Sequence, residues 1–272
     1  MMGVKIKQYE SKNCEIVSGL FPADWNFDFK KFIYLHHNQK YFKSFILSYF
    51  DIPIGFGNLL IFGKIGWIGN IVVEESFREK GFGTSLTKYL IEQGKKAGVD
   101  TFNLITTESG ESLYYKTGFR TELFYEFYRP ADSNRRHKLS SSICVADKAV
   151  FHDIADMDLA ATNEKRGMFI KQYLSKTKFI INPDGEPKGF YIENLGDGLI
   201  IAREPGYGLE LLKLKLNING ERVVIPGANL AAKNFLKSYG YVKYKTIPRM
   251  VLGDRYNWSS ECVFSRGTGF CG

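Results

Sequence analysis

The stretch Ile71 to Gly83, Ile-Val-Val-Glu-Glu-Ser-Phe-Arg-Glu-Lys-Gly-Phe-Gly, restricts the fold more than any other part of this chain. An apolar strand stops, a short turn follows, and Arg78, Gly81 and Gly83 lead directly into a helix. Over Thr84 to Ala97 the residues Leu86, Leu90, Gly94 and Ala97 share one helical face, and Lys95, Lys96 and Gly98 are favourable C-terminal residues. Two glycines let the main chain approach a ligand closely, because a Cβ would collide there. The first N–H groups of a helix lack internal partners and point at whatever anion docks. The segment reads as a diphosphate cradle. Taken alone, the hexapeptide also fits a structural turn carrying a surface arginine, so its surroundings decide.

Those surroundings begin with strand-like Val4 to Tyr9 and an aromatic-rich helical region from Asp24 to His37. Three runs rich in aromatic and β-branched residues follow, Tyr41 to Tyr49, Ile54 to Phe62 and Trp67 to Val73. Turn chemistry at Asp51-Ile52-Pro53 and Gly63-Lys64 separates them, which predicts an antiparallel meander. After the cradle helix, Thr101 to Thr106 is strand-like, Ser109 is a candidate N-cap, Glu111 to Thr117 is a short helix, and Gly118 ends it before a strand from Phe119 to about Tyr128. The order is β-β-β-cradle-α-β-α-β.

The spacing Arg78 to Gly83 resembles the R-x-x-G-x-G signature of the GNAT acyltransferases, and Leu113-Tyr114-Tyr115-Lys116-Thr117-Gly118-Phe119 looks like that family's L-Y-x-x-x-G-F segment, with Gly118 lying 35 residues beyond Gly83. The resemblance implies an α/β (α+β) fold and acetyl-CoA as acyl donor. It implies that main-chain N–H groups of Glu79, Lys80, Gly81, Phe82, Gly83, Thr84 and Ser85 hold the pyrophosphate, with Arg78 and Lys80 adding charge. It implies that the strand end Ile71, Val72, Val73 carries the pantetheine arm by strand-like hydrogen bonds and offers an N–H to the thioester oxygen. Tyr114 is implied as the general acid: a phenol of reference pKa about 10 stays protonated at neutral pH and can donate to sulfur. The alternative is that Tyr114 or Tyr115 is a core-facing aromatic. The family often has asparagine seven residues before that tyrosine; here Thr107 stands there. No base is assigned among Glu74, Glu75, Glu108, His36, His37 and His152.

The second half repeats the pattern in weaker form. Strand-like Leu199 to Ala202 precedes Arg203-Glu204-Pro205-Gly206-Tyr207-Gly208 and a helical stretch with Leu209, Leu212 and Leu216; a strand at Arg222 to Ile225, a helix at Ala228 to Tyr239 and Gly240-Tyr241 complete the echo. Gly208 to Gly240 spans 32 residues, close to the first interval, which indicates an internal duplication. The copy departs where chemistry would need it: Arg203 follows its strand at once, and Leu236 stands where Tyr114 stands in the first half. Asn229 and Ala232 still match the family's helix pattern, and their plain reading is capping and packing. Arg249-Met250-Val251-Leu252-Gly253 resembles the C-terminal domain of bacterial tandem GNAT proteins. The expected division is a GNAT acetyl-CoA-binding domain over 1–130, a linker over 131–139, and a degenerate GNAT-like domain over 140–272 that shapes the substrate site.

Composition narrows the partners. A balance of 37 Lys plus Arg against 29 Asp plus Glu, net +8, attracts polyanions or a phosphorylated cofactor. The one basic run, Arg135-Arg136-His137-Lys138, lies in turn-rich sequence without a nucleic-acid module around it, so nucleic acid is not the expected partner. The four cysteines are scattered without metal-ligand or secreted-framework spacing, and a reduced cytoplasmic setting fits; no metal is expected. No apolar run is long enough to span a bilayer, so no membrane partner is expected. A Rossmann reading fails because Leu86 occupies the third glycine position and antiparallel strands precede the turn; a P-loop fails for want of Gly-Lys-Ser/Thr. The expected activity is acetyl transfer to a primary amine of a small molecule or peptide. A non-catalytic acyl-CoA sensor and an aminoacyl or longer-chain transferase are the competing readings, and the oligomeric state is open.

Overall fold

The computed structural model describes residues 3–25, 27–131 and 138–272. In chain order the elements are β1 (Val4–Gln8), α1 (Cys14–Ser18), α2 (Phe29–His36), β2 (Phe42–Tyr49), β3 (Ile52–Phe62), β4 (Ile65–Val73), α3 (Phe82–Lys96), β5 (Thr101–Ile105), α4 (Glu108–Lys116), β6 (Arg120–Pro130), β7 (Ile143–Val145), α5 (Phe151–Thr162), α6 (Gly167–Lys171), β8 (Thr177–Ile181), β9 (Pro187–Ile192), β10 (Leu199–Ala202), α7 (Pro205–Asn219), β11 (Val223–Pro226), α8 (Leu230–Ser238), β12 (Tyr241–Leu252) and β13 (Val263–Ser265). The chain forms two compact units. One is Met1–Arg120 with Met250–Asp254 and Cys271; the other is Thr121–Arg249 with Arg255–Phe270 and Gly272. Among the described residues no helix is long and apolar enough to cross a membrane. The basic run Arg135-Arg136-His137 and most of the 131–139 segment lie outside the described residues.

The first unit is built on strands ordered β1-β2-β3-β4-β5-β12, with β12 entering through Met250–Leu252. The predicted meander is present: β2 to β3 and β3 to β4 are antiparallel, and β4 runs parallel to β5. Phe50 and Asp51, both at positive φ, make the first hairpin turn, so Ile52 and Pro53 belong to the strand rather than to the break. α3 lays Phe82, Leu86, Leu90 and Ile91 on Leu59, Ile68 and Phe102 of the sheet. Each such large side chain contributes about 1.5–3 kcal/mol by leaving water. Gly94 is a packing position, since a Cβ there would stand 2.3 Å from the Phe102 ring. α4 begins at Glu108, with Thr107 as its N-cap, so the helix starts before the Ser109 cap that the sequence suggested.

The second unit carries β12-β6-β11 and a separate antiparallel sheet ordered β13-β10-β9-β8-β7. Leu211, Leu212 and Leu216 of α7 and Leu236 of α8 pack with Ile200 and Val223 in its core. Arg249 is 2% exposed, ion-paired to Glu122 at 2.9 Å and stacked over Trp258 at 4.1 Å, so its buried charge is matched.

Candidate active site

The end of β4 is bent before it reaches the cradle. Asn70 has φ +52, and β4 slips against β3 between Phe56↔Val72 and Asn58↔Gly69, which is a bulge. The Asn70 side chain donates to Asn58 Oδ1 at 2.8 Å and ties the bulge to β3. Pairing of β4 with β5 covers only Ile65↔Thr101, Gly66↔Phe102 and Trp67↔Asn103. Beyond Trp67 the two strands part, and β4 continues to Val73 with β3 alone. The Glu74 N–H donates to Ile54 O at 2.8 Å. By the alternation of an antiparallel ladder, the peptide groups of Ile71 and Val73 then face the other, unpaired edge.

Val73 O on that edge accepts from Arg78 Nε at 3.0 Å. This bond folds the turn back beside the strand and leaves the two terminal guanidinium nitrogens of Arg78 without a partner among the described residues. Lys80 Nζ donates to Ser76 O at 2.8 Å and lies 5.5 Å from the centroid of the Phe77 ring. Glu79 and Gly81 both take left-handed backbone, at φ +63 and +83. That conformation costs a non-glycine residue about 1–2 kcal/mol, which is why position 81 needs glycine. The outcome is a continuous series of N–H groups, Glu79 to Thr84, with no protein acceptor among the described residues. The series ends at Ser85, whose N–H and Oγ both donate to Gly81 O. The N–H groups of Phe82 to Thr84 open α3 and those of Glu79 to Gly81 precede them in the turn, so an anion here meets positively polarised main chain.

Gly83 ties the cradle to the fourth helix. A Cβ there would lie 2.9 Å from Leu113 Cδ1 and 4.0 Å from Val73 Cγ2, so the end of β4, the start of α3 and the middle of α4 meet at one point. Tyr114 follows Leu113. It packs edge-on to Phe119 at 5.9 Å and lines the same core cluster as Ile71 and Val73. Its hydroxyl has no hydrogen-bond partner among the described residues, and burial raises the phenol above its ordinary pKa. The proton therefore stays on oxygen through the neutral range. Tyr115 is exposed and reaches Glu111.

The structure thus brings Ile71, Val73, Arg78, Glu79 to Ser85 and Tyr114 into one neighbourhood of the first unit; Val72 turns into the core beside them. Glu74 and Glu75 lie in the turn between β4 and Arg78, with Ser76 Oγ donating to Glu74 Oε1 at 3.1 Å, and Glu108 opens α4. His36 is fully buried, its Nδ1 3.1 Å from Tyr41 Oη, and burial pushes its pKa down to about 4. It is a neutral core residue. The bulge at Asn70 escaped notice in the sequence, although Gly69-Asn70 inside an apolar run is the local signal for it.

The start of α7 is built differently. Its helix begins at Pro205, so Gly206 and Gly208 are helical rather than part of a turn, and proline removes one of the free N–H groups. Gly208 serves packing, because a Cβ there would meet the Phe264 ring at 2.3 Å.

Residues 10–119 match the family model described as the acetyltransferase (GNAT) family. The chain is 26% identical over 196 residues to the uncharacterized N-acetyltransferase YitH of Bacillus subtilis (strain 168), covering 68% of this chain and 69% of that protein. A crystal structure from Pyrococcus horikoshii has the same fold at TM-score 0.85 and 19% identity, covering 100% of this chain and 97% of the other. A tandem GNAT protein from the clavulanic acid biosynthesis pathway is similar at TM-score 0.64 and 10% identity, over 92% of this chain and 98% of that one. Residues 10–119 thus carry the match to the acetyltransferase (GNAT) family, and the mixed α/β fold is shared with solved GNAT structures along the length of the chain.

Proposed function

We propose that the chain is an acetyl-CoA-dependent N-acetyltransferase that moves an acetyl group to a primary amine of a small molecule or peptide, with the chemistry in its first unit. The observation that carries this reading is the series of unpartnered N–H groups from Glu79 to Thr84, set beside the free edge of β4 and an unpartnered phenol. The residues present fit acetyl-CoA. Its diphosphate suits the N–H series and the terminal nitrogens of Arg78. Its extended arm suits the open edge of Ile71 and Val73.

When bound, acetyl-CoA supplies an activated acyl group for direct attack by an amine. The chain's part is positioning and proton handling. Two fixed ends, cradle and strand edge, would hold the donor in one orientation, converting attack into an effectively unimolecular step. An N–H on the β4 edge would stabilise charge at the thioester oxygen, and Tyr114 Oη would donate its proton toward the departing sulfur. The raised phenol pKa supports the role of acid rather than base.

The double variant Arg78→Ala, Gly83→Trp is expected to abolish acetyl-CoA binding in calorimetry; unchanged affinity would defeat the reading. Release of thiol from acetyl-CoA with a broad panel of amines is expected and would exclude a non-catalytic acyl-CoA sensor.

A further inference from the structure

The two halves of the chain share one order of elements, strand, helix, strand, helix, strand: β4-α3-β5-α4-β6 in the first, and β10-α7-β11-α8-β12 in the second. Their strand edges are treated differently. In the first unit β4 and β5 are direct neighbours and then part, leaving the end of β4 open. In the second unit the corresponding edge of β10 is covered by β13, paired antiparallel through Ile200↔Ser265 and Ile201↔Val263. The same tail reaches the other strand of the pair, since the Arg266 N–H donates to Val224 O of β11 at 2.7 Å. A strand of the chain itself therefore lies where the first unit keeps a gap.

The tail is held by a buried side chain as well as by the ladder. Asn229 is fully buried at the head of α8. Its Oδ1 accepts the Ala232 N–H at 2.9 Å, and its Nδ2 donates to Glu261 O at 2.8 Å and to Val263 O at 2.9 Å. Both amide hydrogens are thus spent on main-chain carbonyls of the tail. Asn229 precedes Leu236 by seven residues, as Thr107 precedes Tyr114. Next to this contact a cavity of about 250 Å³ remains, lined by Arg203, Glu204, Pro205, Asn229, Glu261 and Cys262 among others. Glu204 and Glu261 line this cavity together with Arg203, and the proline at the helix start has no N–H to offer an anion.

We infer that Val263–Arg266 is a built-in occupant of the second unit's ligand slot, an extended segment of the protein filling the place that an extended cofactor arm takes in the first unit. The chain accordingly holds one acyl-CoA, in the first unit only. This rests on the cofactor reading of the first unit, and two measurements separate the failure of each.

Native mass spectrometry of the full chain with acetyl-CoA should give one equivalent, lost in Gly83→Trp. Two equivalents, or one that survives Gly83→Trp, would overturn the inference. Absence of binding to the unaltered chain would count against the cofactor reading, and the slot would then be judged by hydrogen exchange on Asn229→Ser. Serine keeps a capping oxygen for α8 but loses both donors to the tail. Amides of Val263–Arg266 should then exchange about tenfold faster while those of α8 hold, because two buried hydrogen bonds are removed. Unchanged rates at Val263–Arg266, or loss of α8 protection along with them, would overturn the inference.

Discussion

The starts of α3 and α7 each follow a strand in their own unit, and they differ in what the main chain leaves unsatisfied. At α3 two left-handed residues and a bulged strand leave six N–H groups without protein acceptors among the described residues and the edge of Ile71 and Val73 without a neighbouring strand. At α7 a proline removes one N–H group, the helix follows its strand at once, and an inserted tail strand pairs with the edge of β10. Exposed N–H groups at a helix start are held by water until an anion replaces it. The contrast supports the proposed binding in the first unit without appeal to any single side chain.

The largest expected effect breaks the symmetry at the reacting end. Tyr114→Phe should lower kcat by about 10²- to 10⁴-fold with little change in KM for acetyl-CoA, whereas Leu236→Tyr should add no activity; steady-state kinetics check both. Next comes pH. His36 is neutral when folded, with a pKa of about 4, and titrates near 6.5 when unfolded. Between those values the unfolded chain binds more protons, so stability falls as pH drops from 6.5 to 4, by roughly 3 kcal/mol at most. Denaturant titrations followed by reporters in the first unit should show this loss, and His36→Phe should reduce it.

Smaller effects sharpen the comparison of the two helix starts. Arg78→Ala should weaken acetyl-CoA binding by about 10- to 100-fold, the worth of charge-assisted hydrogen bonds, and Arg203→Ala should leave it unchanged. The paired glycines should behave oppositely. Gly208→Ala forces a methyl group into the Phe264 ring and should cost about 1–3 kcal/mol of stability without altering acetyl-CoA affinity. Gly83→Ala meets only the tip of Leu113 and should change stability by less than about 1 kcal/mol while weakening acetyl-CoA binding.

Much of this was legible in the sequence because it is local. The cradle, the meander, α3 and the Tyr114 helix are each announced by residues within a few positions of one another, such as Gly63-Lys64, Gly98 and Gly118. Residues 177–192 also carry a hairpin signal, Asn182-Pro183-Asp184-Gly185 between two apolar runs. What the sequence hides is non-local. β13 is three residues long, shows no alternation, and finds β10 some sixty positions upstream; Asn229 reads as a helix cap because that is half of what it does. Likewise the parting of β4 and β5 depends on a bulge at Asn70 and not on the apolar character of Ile71 to Val73.

A crystal structure with acetyl-CoA tests the account most directly. The diphosphate should sit against the main chain of Glu79 to Thr84, with the arm along Ile71 and Val73 and the sulfur near Tyr114 Oη. A diphosphate bound at α7, or a nucleotide lying away from α3 altogether, would contradict it.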